Sequence, residues 1–277
     1  MTAAAPRAED AAGLLVAGLA FPEEPRWRDG LIWFVDAGAN LILAVDEAGA
    51  QARRIALDFS PGGLGWLPDG TLLAADPAGR RLVAFAPGRD APRLYADVRA
   101  HIALRPNGLA VSRAGVAYVA GIGSELATPE PRPSGNILAI APDDLRPTVL
   151  LDRDLRFPNG VSLSADETRL FIPETFGERV SLLDLASGAV VHAPTPGAWP
   201  DGSCAAPDGG LWVADAGSAH ALRLDAAGRV VRTARFPARC FAPALNAAGD
   251  RLYAAIAEDF GPQAQARRTG AIAWQAV

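Results

Sequence analysis

The 277-residue sequence contains no lysine, two cysteines, three histidines and no long apolar run. Two cysteines, Cys204 and Cys240, are too few for a disulfide framework. No two histidines stand at zinc-ligand spacing, so a histidine-based zinc site is not expected. No G-x-S-x-G sequence occurs, which leaves a serine hydrolase unsupported. Because no histidine is placed to activate either thiol, we interpret both cysteines as ordinary core residues.

The distribution of charged and apolar residues limits which partners and which cellular compartment we expect. The basic residues are all arginines scattered along the chain, and the formal net charge is −5. A nucleic-acid-binding protein needs a basic face, so we expect no nucleic-acid partner. No 18-residue apolar stretch exists, so we expect no membrane span. The first twenty residues lack the basic start and apolar core of a secretory signal. We therefore expect a cytoplasmic protein.

Glycine and proline are abundant, with 28 and 23 residues, and at this level they indicate many tight turns. One unit recurs six times along the chain. It consists of a turn, a short strand, a glycine-containing hairpin and an apolar strand that ends in a small or acidic residue. The copies cover residues 21–36, 60–76, 105–121, 157–174, 199–215 and 240–256. Each copy is followed by a second hairpin, as in 40–57 and 220–236.

A repeat of about forty residues with four strands is typical of a β-propeller blade. Strands at this spacing also occur in β-sandwiches, but a sandwich has no reason to repeat one turn sequence six times. We therefore predict an all-β chain, residues 1–277, that forms a six-bladed β-propeller with four antiparallel strands per blade. Residues 1–12 are expected to be a loosely ordered extension. The C-terminal TGAIAWQAV supplies three strands at most to the last blade, and the N-terminal GLLVAGLA is predicted to close it.

One position of the repeat carries oxygen-bearing side chains in four copies. Counted from the equivalent strand residue of each copy, this position is Glu23, Gly62, Asn107, Asn159, Asp201 and Phe241. Equivalent positions of a propeller approach its axis, so the four polar side chains are expected to converge. Carboxylate and amide oxygens suit Ca²⁺, Mg²⁺ or Mn²⁺, and packed carboxylates without a cation repel each other. Asn-Gly and Asp-Gly are also ordinary turn sequences, but their shared register favours an axial cation site.

The sequence motifs at these positions follow a fixed order. They are E-x-P-R-W at Glu23–Trp27, R-x-N at Arg105–Asn107, F-P-N-G at Phe157–Gly160, P-E-T at Pro173–Thr175 and P-D-G at Pro200–Gly202. Together they resemble the SMP-30/gluconolactonase/LRE family over nearly the whole chain. The resemblance implies a six-bladed propeller that holds one divalent cation and hydrolyses lactones or related cyclic esters. Calcium is the expected ion, with Mg²⁺, Mn²⁺ and Zn²⁺ as alternatives.

The resemblance also implies roles for individual residues. Glu23, Asn159 and Asp201 would be the metal ligands, and Asp201 the general base. Asn107 would bind the substrate or a metal-bound water, and Arg105 would contact polar oxygens of the substrate.

A further acid, Glu174, is placed at the mouth of the site by the strand order. We predict that it contacts the substrate, and pairing with Arg179 is the alternative.

Two positions depart from the family pattern. Gly108 and Leu109 follow Asn107 where many members have the sequence N-D-G or N-D-M. Because of this difference, the identity of the substrate cannot be inferred from the resemblance. Glu24 stands where Gly or Ser is usual, and we expect a solvated side chain at the rim of the site.

The longest insertion of the repeat, Gly121–Asn136, lies on the predicted metal face. We interpret it as a lid or specificity loop, with an inert surface excursion as the alternative. Two other functions also stay open at this point: hydrolysis of aryl esters or organophosphates at the same site, and a non-catalytic propeller that binds a metabolite or a protein around a structural ion. The substrate is expected to be a small lactone or ester, and the sequence predicts no oligomeric state.

Overall fold

The chain forms six four-stranded antiparallel sheets, each a blade of a β-propeller. The structure is a computed structural model that describes residues 12–125 and 135–277. Blade 1 contains β2 (Pro22–Arg28), β3 (Leu31–Asp36), β4 (Leu41–Val45) and β5 (Gln51–Ala56). Blade 2 contains β6 (Leu64–Trp66), β7 (Leu72–Asp76), β8 (Arg81–Phe85) and β9 (Arg93–Asp97). Blade 3 contains β10 (Arg105–Val111), β11 (Ala117–Ile122), β12 (Asn136–Ile140) and β13 (Thr148–Leu151).

The second half of the chain repeats this order. Blade 4 contains β14 (Ser162–Leu163), β15 (Arg169–Glu174), β16 (Arg179–Asp184) and β17 (Val190–Pro194). Blade 5 contains β18 (Pro200–Ala205), β19 (Leu211–Asp215), β20 (His220–Leu224) and β21 (Val230–Arg235). Blade 6 contains β22 (Arg239–Leu245), β23 (Arg251–Ala257), β24 (Gly270–Ala276) and β1 (Gly13–Leu19). One α-helix, α1 (Pro262–Arg267), lies between β23 and β24.

The first strand of the described chain closes the ring. Strand β1 pairs antiparallel with β24, with Gly13 opposite Trp274 and Leu19 opposite Gly270. This pairing gives blade 6 its fourth strand and covers an edge that would otherwise be open to aggregation. The predicted propeller and its closure by both chain ends are therefore confirmed. Residues 1–11, most of the predicted loose extension, lie outside the described residues.

The hydrophobic core lies between blades. Each of six buried clusters joins two neighbouring blades. The cluster that joins blades 6 and 1 packs Tyr253 and Ile272 against Phe34, all fully buried. Each blade buries both of its faces against its neighbours. The second strand of a blade therefore consists mostly of consecutive apolar residues, as in Leu72–Asp76. Within the described ranges, no helix has the length and apolar character that crossing a membrane requires.

Candidate active site

Four of the six positions that the repeat predicts on the axis occur at or beside an irregularity of the innermost strand, and the other two, Gly62 and Asn159, precede the first residue of theirs. In blade 5 the pairing shifts between Pro200 and Ser203, which leaves Asp201 at a bulge. The same shift occurs between Glu23 and Arg26 in blade 1. Blades 3 and 6 repeat it at Asn107 and Phe241. A β-bulge bends a strand and changes the direction of a side chain, so in blades 1, 3, 5 and 6 the irregularity helps to turn the axial side chain toward the axis.

The residues that follow the axial position are small in five blades. They are Gly63, Gly108, Gly160, Gly202 and Ala242. A side chain at Gly108 would collide with the backbone of Asn159 and Gly160, and one at Gly202 would collide with Ala242. The small residues therefore let the inner strands approach closely enough for the axial side chains to share one site.

Glu24 occupies this position in blade 1, and the expectation of a solvated side chain there is wrong. Glu24 is only 4% exposed, and its carboxylate pairs with Arg26 at 2.5 Å. Its backbone has a φ of 50°, a region that non-glycine residues rarely adopt.

The structure brings Glu23, Arg105, Asn107, Asn159 and Asp201 together. All five line one cavity of about 240 Å³. A second cavity of about 320 Å³ adjoins it through Glu23, Arg105 and Asn107 and extends over blades 1 and 2. Together the two cavities form a cleft at the face where the inner strands begin.

Amide and hydroxyl groups fix the orientation of one candidate ligand. The side-chain nitrogen of Asn159 donates to Thr175 Oγ1 at 3.1 Å, and this hydroxyl donates to the carbonyl oxygen of Pro200 at 2.8 Å. The side-chain oxygen of Asn159 accepts a hydrogen bond from Asn107. Thr175 therefore turns the oxygen of Asn159 toward the other axial residues. It belongs to the P-E-T sequence, but sequence reasoning gave it no role.

The two axial carboxylates lack a compensating positive charge of their own. Burial, together with the nearby charges of Asp201 and Glu24, raises the pKa of Glu23 well above its ordinary value. Burial and the charge of Glu24 raise the pKa of Asp201 in the same way. No three His, Cys, Asp or Glu side chains in the described part of the chain are arranged to hold a metal ion. The candidate ligand set instead combines two carboxylates with an amide, all oxygen donors that suit a hard divalent cation.

Arg105 lies at the side of the cleft formed by blade 3. Its guanidinium pairs with Glu125 at 3.1 Å, and both side chains are partly or fully exposed. This pair uses one of the five N–H donors of the arginine, so the side chain can still bind an oxygen atom in the cleft.

Glu174 does not join this group. Its carboxylate is fully buried and accepts hydrogen bonds from Nε and Nη2 of Arg179, from the backbone amide of Arg156 and from the Ser181 hydroxyl. The structure thus has the ion pair with Arg179, and the carboxylate is enclosed where a substrate contact was predicted.

Glu174 instead belongs to a second repeating set of acids that ends the strand next to each inner strand. Its equivalents are Asp36, Asp76 and Asp215. Asp36 accepts hydrogen bonds from the Ala20 and Phe21 amides, and Asp215 accepts one from Trp199. These buried acids fix the turn that leads into an inner strand, and so they position the axial residues indirectly.

Cys240 matches the interpretation as a core thiol, and Cys204 is half-buried at the edge of the same hydrophobic cluster. They are unpaired, and Cys240 is fully buried. Burial raises the pKa of Cys204 to about 12, which removes the thiolate that nucleophilic catalysis needs.

The predicted lid is described only at its ends. Residues 126–134 of Gly121–Asn136 lie outside the described residues. Ile122, at the end of β11, lines the cleft, and Glu125 pairs with Arg105. The two described contacts bring the start of this loop to the cleft, and its role as a lid stays a prediction.

One known family matches most of the chain. A model of the SMP-30/Gluconolactonase/LRE-like region matches residues 21–258. The matched span begins two residues before Glu23 and includes all six axial positions. No curated protein sequence matches the chain at a significant level.

Solved structures with the same fold cover almost the whole chain. A calcium-binding protein, regucalcin, from Agrobacterium tumefaciens is 20% identical, with a TM-score of 0.78 over 96% of this chain and 93% of that one. A gluconolactonase from Xanthomonas campestris is 18% identical, with a TM-score of 0.78 over 95% of this chain and 89% of that one. A luciferin-regenerating enzyme is 16% identical, with a TM-score of 0.79 over 95% of both chains. Likenesses at this identity show the fold alone.

Proposed function

Because the chain belongs to the SMP-30/gluconolactonase/LRE-like family, we propose that it is a lactonase that depends on one divalent cation, with Ca²⁺ as the expected ion. The observation that carries this proposal is the convergence of Glu23, Asn107, Asn159 and Asp201 on one cavity. The regucalcin relative is described as calcium-binding and the Xanthomonas relative as a gluconolactonase, which supports both parts of the proposal.

The chemistry of the site fits a cation. Glu23 and Asp201 are carboxylates whose pKa values are raised by burial and by neighbouring negative charge. The guanidinium beneath them, on Arg26, is already paired with Glu24. Glu23, Asn159 and Asp201 would hold the ion, which when bound would offset the two carboxylates and polarise an ester carbonyl.

In the proposed reaction, Asp201 transfers the protons. Water attacks the lactone carbonyl carbon, and a carboxylate oxygen of Asp201 accepts the proton that the water loses. The bond between the carbonyl carbon and the ring oxygen breaks, and the ring oxygen takes the proton back from Asp201. The product is one hydroxy acid, so one lactone and one water are consumed.

Two side chains, those of Asn107 and Arg105, would stabilise the charge that develops on the carbonyl oxygen. Asn107 keeps a second amide N–H beyond the one that it donates to Asn159, and Arg105 keeps N–H donors beyond its pair with Glu125. Donors aimed at a developing oxyanion lower the barrier more than they improve ground-state binding.

The experiment is acid release from a panel of lactones, measured with added Ca²⁺, Mg²⁺, Mn²⁺ or Zn²⁺ and after chelation. We expect turnover that chelation abolishes and one of the ions restores. Asp90→Asn serves as a matched control for Asp201→Asn, because Asp90 is exposed and pairs only with Arg53. Cation binding without turnover of any lactone would contradict the proposal and favour a propeller with a structural ion.

A further inference from the structure

The wall of the cleft is chemically asymmetric. The residue two positions before each axial residue forms a second ring at the mouth, composed of Phe21, Ser60, Arg105, Phe157, Trp199 and Arg239. Its three aromatic members come from blades 1, 4 and 5, and the arginine that lines the cleft comes from blade 3. Ser60 and Arg105 are thus neighbours on blades 2 and 3. The third polar member, Arg239 of blade 6, donates to the Ala216 carbonyl and is not among the residues that line the cavity.

Blade 6 completes the aromatic side. Its axial residue is Phe241, which is 1% exposed and packs edge to face on Phe21 with ring centroids 5.0 Å apart. Phe260, from the segment before α1, packs on the same cluster and lines the cavity. Blades 4, 5, 6 and 1 thus contribute five aromatic side chains to the lining of the cavity, which we call the aromatic wall: Phe21, Phe157, Trp199, Phe241 and Phe260.

Few hydrogen-bonding side chains lie on this side of the cleft. Of the described residues that line the 240 Å³ cavity, the polar ones are Arg105, Thr175 and the four polar axial residues, and the wall itself offers only the indole N–H of Trp199. The Thr175 hydroxyl is occupied on both sides, by Asn159 and by the Pro200 carbonyl. A polyhydroxylated substituent against the aromatic wall would therefore lose water and find at most one side-chain donor, the Trp199 indole N–H.

A large apolar side chain is nevertheless open to solvent at the mouth. Trp199 is 39% exposed although its backbone is held by Asp215. Tryptophan with a fixed backbone and an open face supplies contact area at low cost in conformational entropy. It is the member of the wall that an arriving ligand covers first.

We infer that the substrate is a lactone with an apolar alkyl or aryl substituent, bound against the aromatic wall, rather than a polyhydroxylated sugar lactone. This inference rests on the proposed function. The ester group faces Asp201 and Arg105, and the substituent lies on Trp199 and Phe260. The part of the cleft next to the aromatic wall has a volume of about 240 Å³, below the roughly 300–1,000 Å³ of drug-sized ligand pockets, so the substituent is a short chain or a single ring.

Three lactones with the same six-membered ring test the inference. They are δ-valerolactone without substituents, δ-decalactone with an alkyl chain and glucono-δ-lactone with hydroxyls. We expect kcat/KM for δ-decalactone to exceed that for δ-valerolactone by about tenfold or more, since each methylene in an apolar pocket adds affinity. Glucono-δ-lactone should fall below δ-valerolactone, because its hydroxyls lose hydration against the wall.

Variants of the wall locate the substituent. Trp199→Ala and Phe260→Ala should each raise KM for δ-decalactone several-fold and change KM for δ-valerolactone much less, whereas Trp199→Phe should keep most of the preference. Val231→Ala is the matched control, because Val231 is 58% exposed on the outer strand of blade 5, away from the cleft. The control should leave the ranking of the three lactones unchanged.

The outcomes separate this inference from the proposed function. Hydrolysis of glucono-δ-lactone at least as efficient as that of δ-decalactone overturns the inference and leaves the lactonase function standing. If none of the lactones is hydrolysed with any cation, the proposed function fails. Calorimetric titration of the wild type with δ-decalactone and glucono-δ-lactone then tests the wall by itself, and equal or tighter binding of the gluconolactone overturns the inference.

Discussion

Arg26 donates a hydrogen bond to the carboxylate of Glu24 at 2.5 Å, and the same nitrogen contacts the carbonyl oxygen of Leu109 in blade 3 at 3.2 Å. Glu24 lines the cleft, while Arg26 lines a cavity of about 570 Å³ at the other end of the central channel. The remaining Glu24 oxygen lies against Gly160 of blade 4. The pair therefore spans the channel and forms the floor beneath the axial carboxylates.

The first prediction concerns the charge of this floor. Glu24→Gln keeps the size of the side chain and removes one negative charge that acts on Glu23 and Asp201. We expect cation affinity to fall by about tenfold, which corresponds to ~1.4 kcal/mol, as measured by calorimetry. The control Glu47→Gln removes an exposed carboxylate paired with Arg251 on the outside of the propeller and should leave affinity unchanged. Unchanged affinity in Glu24→Gln would show that the floor carries no electrostatic role.

The second prediction separates ligands from substrate contacts. Asp201→Asn removes both a negative ligand and the proposed base, so turnover should fall by about 100-fold or more at any cation concentration. Asn159→Asp adds charge and should retain cation binding while lowering turnover. Asn107→Ala should reduce turnover more than cation affinity. Calorimetry and lactonase assays on the same preparations distinguish these effects. Normal binding and wild-type rates in Asp201→Asn would disprove the axial-cation mechanism.

The fold and the axial positions could be predicted from the sequence because both are encoded in a pattern that repeats in every blade. Residues at the same position of the repeat, such as Glu23 and Asp201, adopt the same backbone geometry in their blades. Their place in the repeat is therefore enough to predict that they lie near the axis. Glu24 was misjudged because it breaks the repeat: where the other blades have glycine or alanine, nothing in the pattern shows that a glutamate folds inward onto Arg26.

Contacts between side chains of different blades could not be predicted from the sequence either. The aromatic wall is assembled from different blades and from the segment before α1, and only Phe241 was identified, as an axial residue. The roles of Thr175 and Glu174 depend on which partners their side chains meet, and a motif does not specify partners far apart in sequence, such as Arg156 and Pro200.

The third prediction concerns the thiols. Because burial raises the pKa of Cys204 to about 12, the thiolate fraction at pH 8 is negligible, and it increases only as the pH approaches that value. We expect iodoacetamide to leave both cysteines unmodified in the folded protein at pH 8 and to label both after unfolding in guanidinium, as read by mass spectrometry. Fast labelling of native Cys204 at pH 8 would contradict its interpretation as a core thiol.

The fourth prediction concerns Glu174, which the structure makes a framework residue. Glu174→Gln removes the charge that Arg179 and the Arg156 amide require. Breaking a buried ion pair costs about 3–5 kcal/mol, and partial exposure of Arg179, at 17%, puts the expected loss at the lower end of this range. Denaturant unfolding measures the loss. KM for lactones should stay within about twofold of the wild type, since Glu174 is buried and does not line the cleft, and loss of a buried ion pair acts mainly on stability. A large rise in KM with normal stability would restore the predicted substrate contact.

The last prediction concerns Thr175 as a positioning residue. Its hydroxyl accepts from the Asn159 amide and donates to the Pro200 carbonyl next to Asp201, so it connects two candidate ligands from blades 4 and 5. Thr175→Val has nearly the same shape but leaves that buried amide without its acceptor, and the amide is then free to rotate its nitrogen toward the axis. Loss of a group that orients a ligand typically lowers metal affinity or activity by about 10–100-fold, and we expect an effect of this size on Ca²⁺ affinity.

Thr175→Ser is the matched control, because it keeps the hydroxyl and should restore affinity to within about threefold, well short of the 10–100-fold loss typical when an orienting group is removed. Thermal unfolding without the cation distinguishes positioning from general damage. If Thr175→Val and Thr175→Ser lose similar stability but only the valine variant loses affinity, orientation of Asn159 is the cause. If both variants bind Ca²⁺ as the wild type does, the hydroxyl bridge serves the fold alone and the orientation of Asn159 does not depend on it.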